Sequence, residues 1–398
     1  MKESRRAPVV CGATTAALFA ALAAYIRVNL AYAGTWGQTL ALSALFALTA
    51  GGAMAAYAAL EKPDGRTLAL VGGVMALTMA ARVSMLDYIS SDYQSFLVLW
   101  LDAFHKGGFA TLGENVGDYN LIYQYILLLI SKAPLKDLYL IKLFSVIFDY
   151  ALALSMARAA GLFAGEKAKV PTLLIVLTLP TVLINGACWG QCDAVYVFFI
   201  VMSLCDMKTR KPVRAAAMLA IAFAFKLQTI FFFPIVLLGL IHGEYKPKHA
   251  LVFALAYLAT TVPALIAGRS LGDALVLIVV IYWLMHAKEV TPEMTLDMAL
   301  FFAIFLPFVM PKIHERYFFM ADMLSILYAA RRGDRRFVPL LVIGASLISY
   351  MPILTRQRPV DERILGLMML GALIAVSRDL LSAMRQNRRT LAKGGETA

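Results

Sequence analysis

Apolar residues run along the chain in long blocks from Val9 to Leu381, broken by short polar and charged segments. A helix crossing a bilayer needs ~20 apolar residues, with a range of about 17–25. The runs at 8–30, 39–60, 67–86, 138–160, 170–187, 250–267, 337–354 and 364–382 reach that length. Those at 194–206, 213–225, 229–242, 272–286, 296–310 and 317–330 fall short of it. The pattern predicts an all-α polytopic transmembrane bundle of about 11–14 segments. It forms a single transmembrane domain over 1–398, in which some short runs are broken helices meeting at a cavity.

Lys2, Arg5 and Arg6 precede the first run, which at Pro8 to Ile26 is long for a signal-peptide core and reads as a span with its N-terminus inside. The third run then ends outside and leaves 87–119 as an extracytoplasmic loop. Within it Phe96, Leu97, Leu99, Trp100, Leu101 and Phe104 form an amphipathic run too short to cross. It is expected to lie in the interface as a helix, with Trp100 at headgroup depth. Leu121 to Ile130 is only ten residues and is expected to be re-entrant; such pieces are tolerated where protein or a water-filled cavity surrounds them.

The re-entrant assignment fixes the parity of everything that follows. It sends the segments around Lys167, Lys208 to Arg214, Lys246 and Arg331 to Arg336 to the cytoplasmic side, as the positive-inside rule requires. A true crossing at 121–130 would invert the pattern.

Composition agrees with a membrane protein: the 398 residues are 61% hydrophobic and 16% charged, against roughly 45–50% and about 25% for ordinary globular chains. The net charge of +12 sits in short clusters between apolar runs, which is an insertion signal and not a nucleic-acid footprint. Of the four cysteines, Cys11 and Cys205 lie in apolar runs. Cys188 and Cys192 are either small packing residues or a disulfide or metal pair, and two ligands alone do not make a zinc site. No G-x-G-x-x-G or Walker pattern is present, so a phosphate-bearing substrate would be reached from the membrane itself.

Parity collects five polar groups on the outer side. They are Ser90-Ser91-Asp92-Tyr93-Gln94, Trp189-Gly190-Gln191-Cys192-Asp193, Lys226-Leu227-Gln228, His314-Glu315-Arg316-Tyr317 and Arg356-Gln357-Arg358, the last followed by Asp361, Glu362 and Arg363. Charges beside apolar runs are costly unless paired, hydrated or functional. Lys226, His314, Arg316, Arg356 and Arg358 can hold an anion where phosphate headgroups sit. Asp92 is either the cap of the interfacial helix or a general base. Asp193 can cap its own helix, Lys226 can snorkel, and His314-Glu315-Arg316 can be a hydrated ion cluster. Together on one face they favour a site.

These motifs resemble the GT-C class of integral membrane glycosyltransferases, most closely bacterial relatives of the GPI-anchor mannosyltransferases and dolichol-pathway hexosyltransferases. The resemblance rests on Ser91-Asp92-Tyr93, Tyr119-Asn120, Lys142 with Asp149, Trp189 to Asp193, Phe225-Lys226-Leu227-Gln228 with Pro234, and His314 to Tyr317, in family order over about residues 90 to 320. It implies a GT-C-like fold in a bacterial inner or plasma membrane, with an extracytoplasmic active site.

The implied reaction is inverting transfer of a mannose- or glucose-like hexose from a polyprenyl-phosphate donor to a glycan or lipid-linked acceptor of the cell envelope. It implies Asp92 as base and Lys226, His314 and Arg316, with Arg356 and Arg358, as the cations facing the leaving phosphate. Tyr93, Trp189, Gln191, Asp193, Gln228, Glu315 and Tyr317 would shape the sugar and acceptor pocket. Asp92, Asp193 and Glu315 could meet on a divalent metal, but the excess of cations makes one unnecessary, and no cofactor and no nucleic-acid partner is expected.

The alternative is a transporter or flippase of a lipid-linked sugar, which would place charges near the midplane; only Lys142 and Asp149 lie well inside a run. A non-catalytic envelope scaffold would have no need of these groups on one side. The topology makes a direct prediction: single cysteines replacing Asp92 and Arg316 are both labelled by an impermeant thiol reagent from outside the cell. Labelling from opposite sides would end the sidedness on which the site depends.

Overall fold

The computed structural model describes residues 2–114, 116–117, 119–232, 246–269, 279, 294–309, 318–355 and 360–395. Among them all regular structure is helical. The chain divides into two compact units, Met1–Arg269 and Ser270–Ala398.

The first unit opens with three long helices, α1 (Lys2–Asn29), α2 (Trp36–Glu61) and α3 (Gly65–Ser84). In an apolar medium only a helix or a closed barrel satisfies every backbone group, and the starts of α2 and α3 are satisfied by their own sequence. Thr35 and Gln38 form a reciprocal capping box on α2, and Asp64 accepts from the backbone of Arg66 and Thr67, both at 2.9 Å. A π-turn over Tyr93–Leu97 then runs into α4 (Val98–Gly107). Leu97, Leu101 and Phe104 face the core, while Phe96 and Leu99 stay exposed, so the helix is apolar towards both the bundle and the outside. His105 ties it to Asp137 at 2.8 Å.

The short apolar piece is α5 (Leu121–Ile130). At ~1.5 Å per residue it cannot cross a membrane. Asn120 donates to the Phe223 carbonyl at 2.7 Å, and Gln38 donates to the Pro134 carbonyl at 2.8 Å. The start of α5 is thus tied to the last turn of α10, and the chain just past its end to the first turn of α2.

The central helix is α6 (Asp137–Ala164), which touches α2, α7 (Lys169–Thr178) and α9 (Asp193–Lys208). Between α7 and α9, Pro180–Leu183 (α8) continues into a second π-turn, Ile184–Cys188. The expected run at 170–187 is thus a broken helix bent by 47°. Pro180 explains the break, since it has no N–H for the preceding turn. The unit closes with α10 (Pro212–Phe225), a 3₁₀ turn at Leu227–Phe232, and α11 (Pro247–Ile266).

Two buried polar contacts from α6 fix α3. The Lys142 ammonium donates to the carbonyls of Met85 at 2.8 Å, Leu86 at 2.9 Å and Tyr88 at 2.6 Å. Its three donors are all used, on carbonyls that leave the end of α3, where a cation is favoured. Two turns further along α6, Asp149 accepts from Arg82 Nε at 3.0 Å, and both side chains are buried. Arg82 also reaches the Thr78 and Leu177 carbonyls, at 3.2 and 3.3 Å. A Cβ on Gly186 would stand 2.8 Å from Asp149, so glycine lets the second π-turn approach the pair.

In the second unit α12 (Thr295–Val309), α13 (Phe319–Arg331), α14 (Phe337–Thr355) and α15 (Glu362–Gly395) pack around Leu300, Ile304, Tyr328, Val342 and Val376. Its basic segment is neutralised at one end of the unit. Asp297 accepts from Arg331 and Arg332, and Asp379 accepts from Arg335 at 2.7 Å and from Tyr328 at 2.5 Å. Asp361 accepts from the Arg363 backbone at 2.8 Å and begins α15.

Six helices in the described residues are long and apolar enough to cross a membrane, or seven if the bent pair is one span. That is fewer than the 11–14 segments expected, because Leu121–Ile130, Pro212–Phe225 and Leu296–Val309 are shorter apolar helices and the runs at 229–242 and 272–286 lie largely outside the described residues. Breaking a buried pair strands its partner, typically at a cost of about 3–5 kcal/mol, whereas replacing both members by apolar residues is often tolerated. Asp149→Leu is accordingly expected to be destabilised by about 3–5 kcal/mol, and Arg82→Met/Asp149→Leu to recover most of that. Thermal unfolding in detergent measures both; an unaffected single variant would contradict the role given to the pair.

Candidate functional site

The segment that leaves α3 is held from three sides before it reaches Asp92. Lys142 grips its carbonyls, and Asp87 accepts from the Ala31 backbone at 2.9 Å and from the Tyr139 hydroxyl. Ser90 then donates to the Trp189 carbonyl at 2.8 Å and accepts from the Tyr93 backbone at 3.2 Å. Ser90, not Asp92, therefore caps the π-turn, and the Asp92 carboxylate is left for other work. Asp92 is exposed and accepts from the Gln191 side-chain amide.

Gln191 arrives from the second polar segment through a tight turn. Gly190 has φ +72°, in the left-handed region that favours glycine, and a Cβ there would meet Ile141 of α6 at 3.3 Å. The Gln191 oxygen accepts from the Tyr119 hydroxyl at 2.8 Å. Tyr119 packs edge-on against Trp100 and Tyr123, with centroids 5.4 and 4.9 Å away. Burial pushes its phenol up to about 12, so it keeps its proton and serves as a hydrogen-bond donor throughout the neutral range.

Lys226 stands over the ring of Tyr119, its ammonium 5.2 Å from the ring centroid. It is the residue at which α10 stops and the backbone turns extended, with φ −148° and ψ 130°. The side chain is buried and paired with Asp193, whose second oxygen accepts from Asn185 at 2.8 Å. Burial works against the lysine charge, but Cys192, the hydrogen bond to Asp193 and Tyr119 outweigh it, and the pKa lies above the ordinary lysine value. Neither helix-capping by Asp193 nor snorkelling by Lys226 describes these groups: each is turned towards the other.

Asp92, Gln191, Asp193 and Lys226 are thus joined in one network, with Trp189 half-exposed beside it. Gln228 is exposed on the turn after Lys226. Tyr93 is not brought in. It is buried on the inner side, where burial, with lesser effects from Asp137 and Tyr32, pushes its phenol up to about 12. His314, Glu315, Arg316, Tyr317, Arg356 and Arg358 lie outside the described residues.

Sequence reasoning gave no separate role to Tyr119, Asn120 or Asn185; Tyr119-Asn120 stood out only as part of a motif. All four cysteines are free, and the described residues contain no group of three or more metal-ligating side chains.

The arrangement offers an exposed carboxylate with one oxygen tethered, and a buried ammonium joined to it through a tyrosine. Fold and site together describe a multi-pass helical membrane protein with a polar constellation at one end of its first unit. The chain matches no family model, no curated protein and no solved structure.

Removing Lys226 alone leaves Asp193 half-buried without its cation. Lys226→Ala is expected to cost roughly 1–3 kcal/mol, with a coupling of about 0.5–3 kcal/mol in the cycle with Asp193→Ala. Unfolding of the four proteins in detergent measures it; additive effects would mean that the two groups do not support each other.

Proposed function

We propose that the protein is a membrane glycosyltransferase that moves a hexose from a polyprenyl-phosphate donor to an acceptor hydroxyl on a glycan or lipid-linked saccharide, inverting the anomeric carbon. The single observation that carries this reading is the Asp92–Gln191–Tyr119–Lys226 network, which holds an exposed carboxylate and a buried cation at one end of a membrane bundle.

In the proposed reaction Asp92 takes the proton of the acceptor hydroxyl as its oxygen attacks the anomeric carbon. The bond from that carbon to the phosphate oxygen breaks, and the electron pair leaves with the polyprenyl phosphate. Lys226 faces the charge that grows there, after Asp193 yields one of its contacts. Trp189 offers an exposed ring for the face of a sugar. Two π-turns, Tyr93–Leu97 and Ile184–Cys188, flank these residues, and such turns recur at functional sites.

The charges that a transporter would need near the midplane are committed elsewhere. Lys142 is saturated by carbonyls and Asp149 is paired with Arg82.

Incubating purified protein with polyprenyl-phosphate mannose or glucose and a saccharide acceptor should consume donor and yield the inverted anomer. Asp92→Asn is expected to lower turnover by at least about 10²-fold while donor binding persists. Near-normal turnover in that variant would remove the base assignment.

A further inference from the structure

The Asp92 carboxylate can only accept hydrogen bonds when ionised. Gln191 must therefore present its NH₂ group to Asp92 and its oxygen away from it. That oxygen receives the Tyr119 hydroxyl at 2.8 Å. A flipped amide would set oxygen against carboxylate, whereas the Tyr119 hydroxyl can donate to an amide oxygen or accept from an NH₂. Asp92 thereby determines which way the amide faces, and the Tyr119 hydroxyl holds the oxygen presented to it.

Tyr119 itself cannot swing, because it is wedged between Trp100 and Tyr123, and its backbone carbonyl accepts from Gln124 at 3.1 Å. The charged and titratable groups around this contact are Lys226, Asp193 and Cys192, besides Tyr119 itself.

We infer that Tyr119 and Gln191 form a positioning pair for Asp92: the phenol holds the amide oxygen, and the amide holds one carboxylate oxygen, leaving the other oxygen free for a substrate proton. The same tyrosine ring lies beneath the Lys226 ammonium, so one side chain sets the spacing between the carboxylate and the cation. The catalytic meaning of this pair rests on the glycosyl-transfer reading; the hydrogen-bonding claim does not.

The test separates the two. A hydrophobic carbodiimide modifies protonated carboxyl groups, so the pH dependence of its addition to Asp92, read by peptide mass spectrometry on the full-length protein in detergent, reports the ionisation of that residue. Donation by Gln191 favours the charged form. Weakening that donation raises the pKa and moves half-modification to higher pH.

Gln191→Leu removes the donor and is expected to shift the midpoint upward by about one pH unit. Tyr119→Phe keeps the ring contacts, loses only the hydroxyl, and is expected to shift it upward by a smaller amount. Asp102, exposed on α4 beside Lys106, serves as an internal control whose midpoint stays constant. In the transfer assay Tyr119→Phe should lower kcat about tenfold with donor KM unchanged.

An Asp92 midpoint that stays put in both variants overturns the positioning pair, even if the wild-type protein transfers sugar. A shifted midpoint in a wild-type background that consumes no polyprenyl-phosphate sugar leaves the pair standing and removes the glycosyl-transfer reading.

Discussion

One lysine inside the bundle holds the rest in place. Lys142 projects from the second turn of the most enclosed helix, α6, and is saturated by the carbonyls of Met85, Leu86 and Tyr88 just past the end of α3. An ammonium without partners in such surroundings would be severely penalised, and carbonyls past a helix end would be orphaned just as badly. Each cancels the other's cost only in one geometry. The chain from Met85 to Tyr88 therefore has a single place to be, and the Arg82–Asp149 pair two turns deeper prevents α3 from sliding along α6. Everything polar that follows, from Ser90 to Asp92, is aimed by that anchoring.

The segment around Trp189 obeys the same logic with different chemistry. Its position is set by backbone shape: a broken helix at Pro180, a π-turn that Gly186 lets pass close to Asp149, and a left-handed Gly190 against Ile141. The two polar segments then meet through Ser90 and the Trp189 carbonyl. Rigid scaffolding of this kind is what a site needs when the groups it displays must face each other across a gap. The tyrosine that fills the gap is supplied by the turn into the short helix α5, which gives that helix a purpose beyond filling space.

Much of this was legible in the residues, and the reasons differ from place to place. Span positions follow from apolar run length, and Leu121–Ile130 appears with the same limits in sequence and structure, because a ten-residue apolar block bounded by polar residues has few alternatives. The bend at Pro180 was not foreseen, since a proline inside an apolar run is compatible with a straight crossing in a membrane. The choice between capping and catalysis at Asp92 could not be made from spacing alone: Ser90 and Asp92 are both good caps, and only the direction of the π-turn decides for Ser90. Arg82 went unremarked within an expected span, although a lone arginine there has to find a carboxylate, and Asp149 was the available one. Gln191 is expected from the sequence in a sugar pocket; its hydrogen bonds to Asp92 and Tyr119 are contacts that no pattern encodes.

The Lys226–Asp193 pair has a consequence for selectivity. With Lys226 already paired to Asp193, this pair by itself offers little net charge to a passing inorganic anion. A phosphate must displace an internal carboxylate to settle there, and one that brings no additional adhesion gains little by doing so. A phosphate tethered to a long hydrocarbon arrives with the membrane concentrating it and its tail adding grip. On the proposed function, the pair would thus act as a filter that lets lipid-borne phosphates in and leaves the dissolved ones of the surrounding medium out.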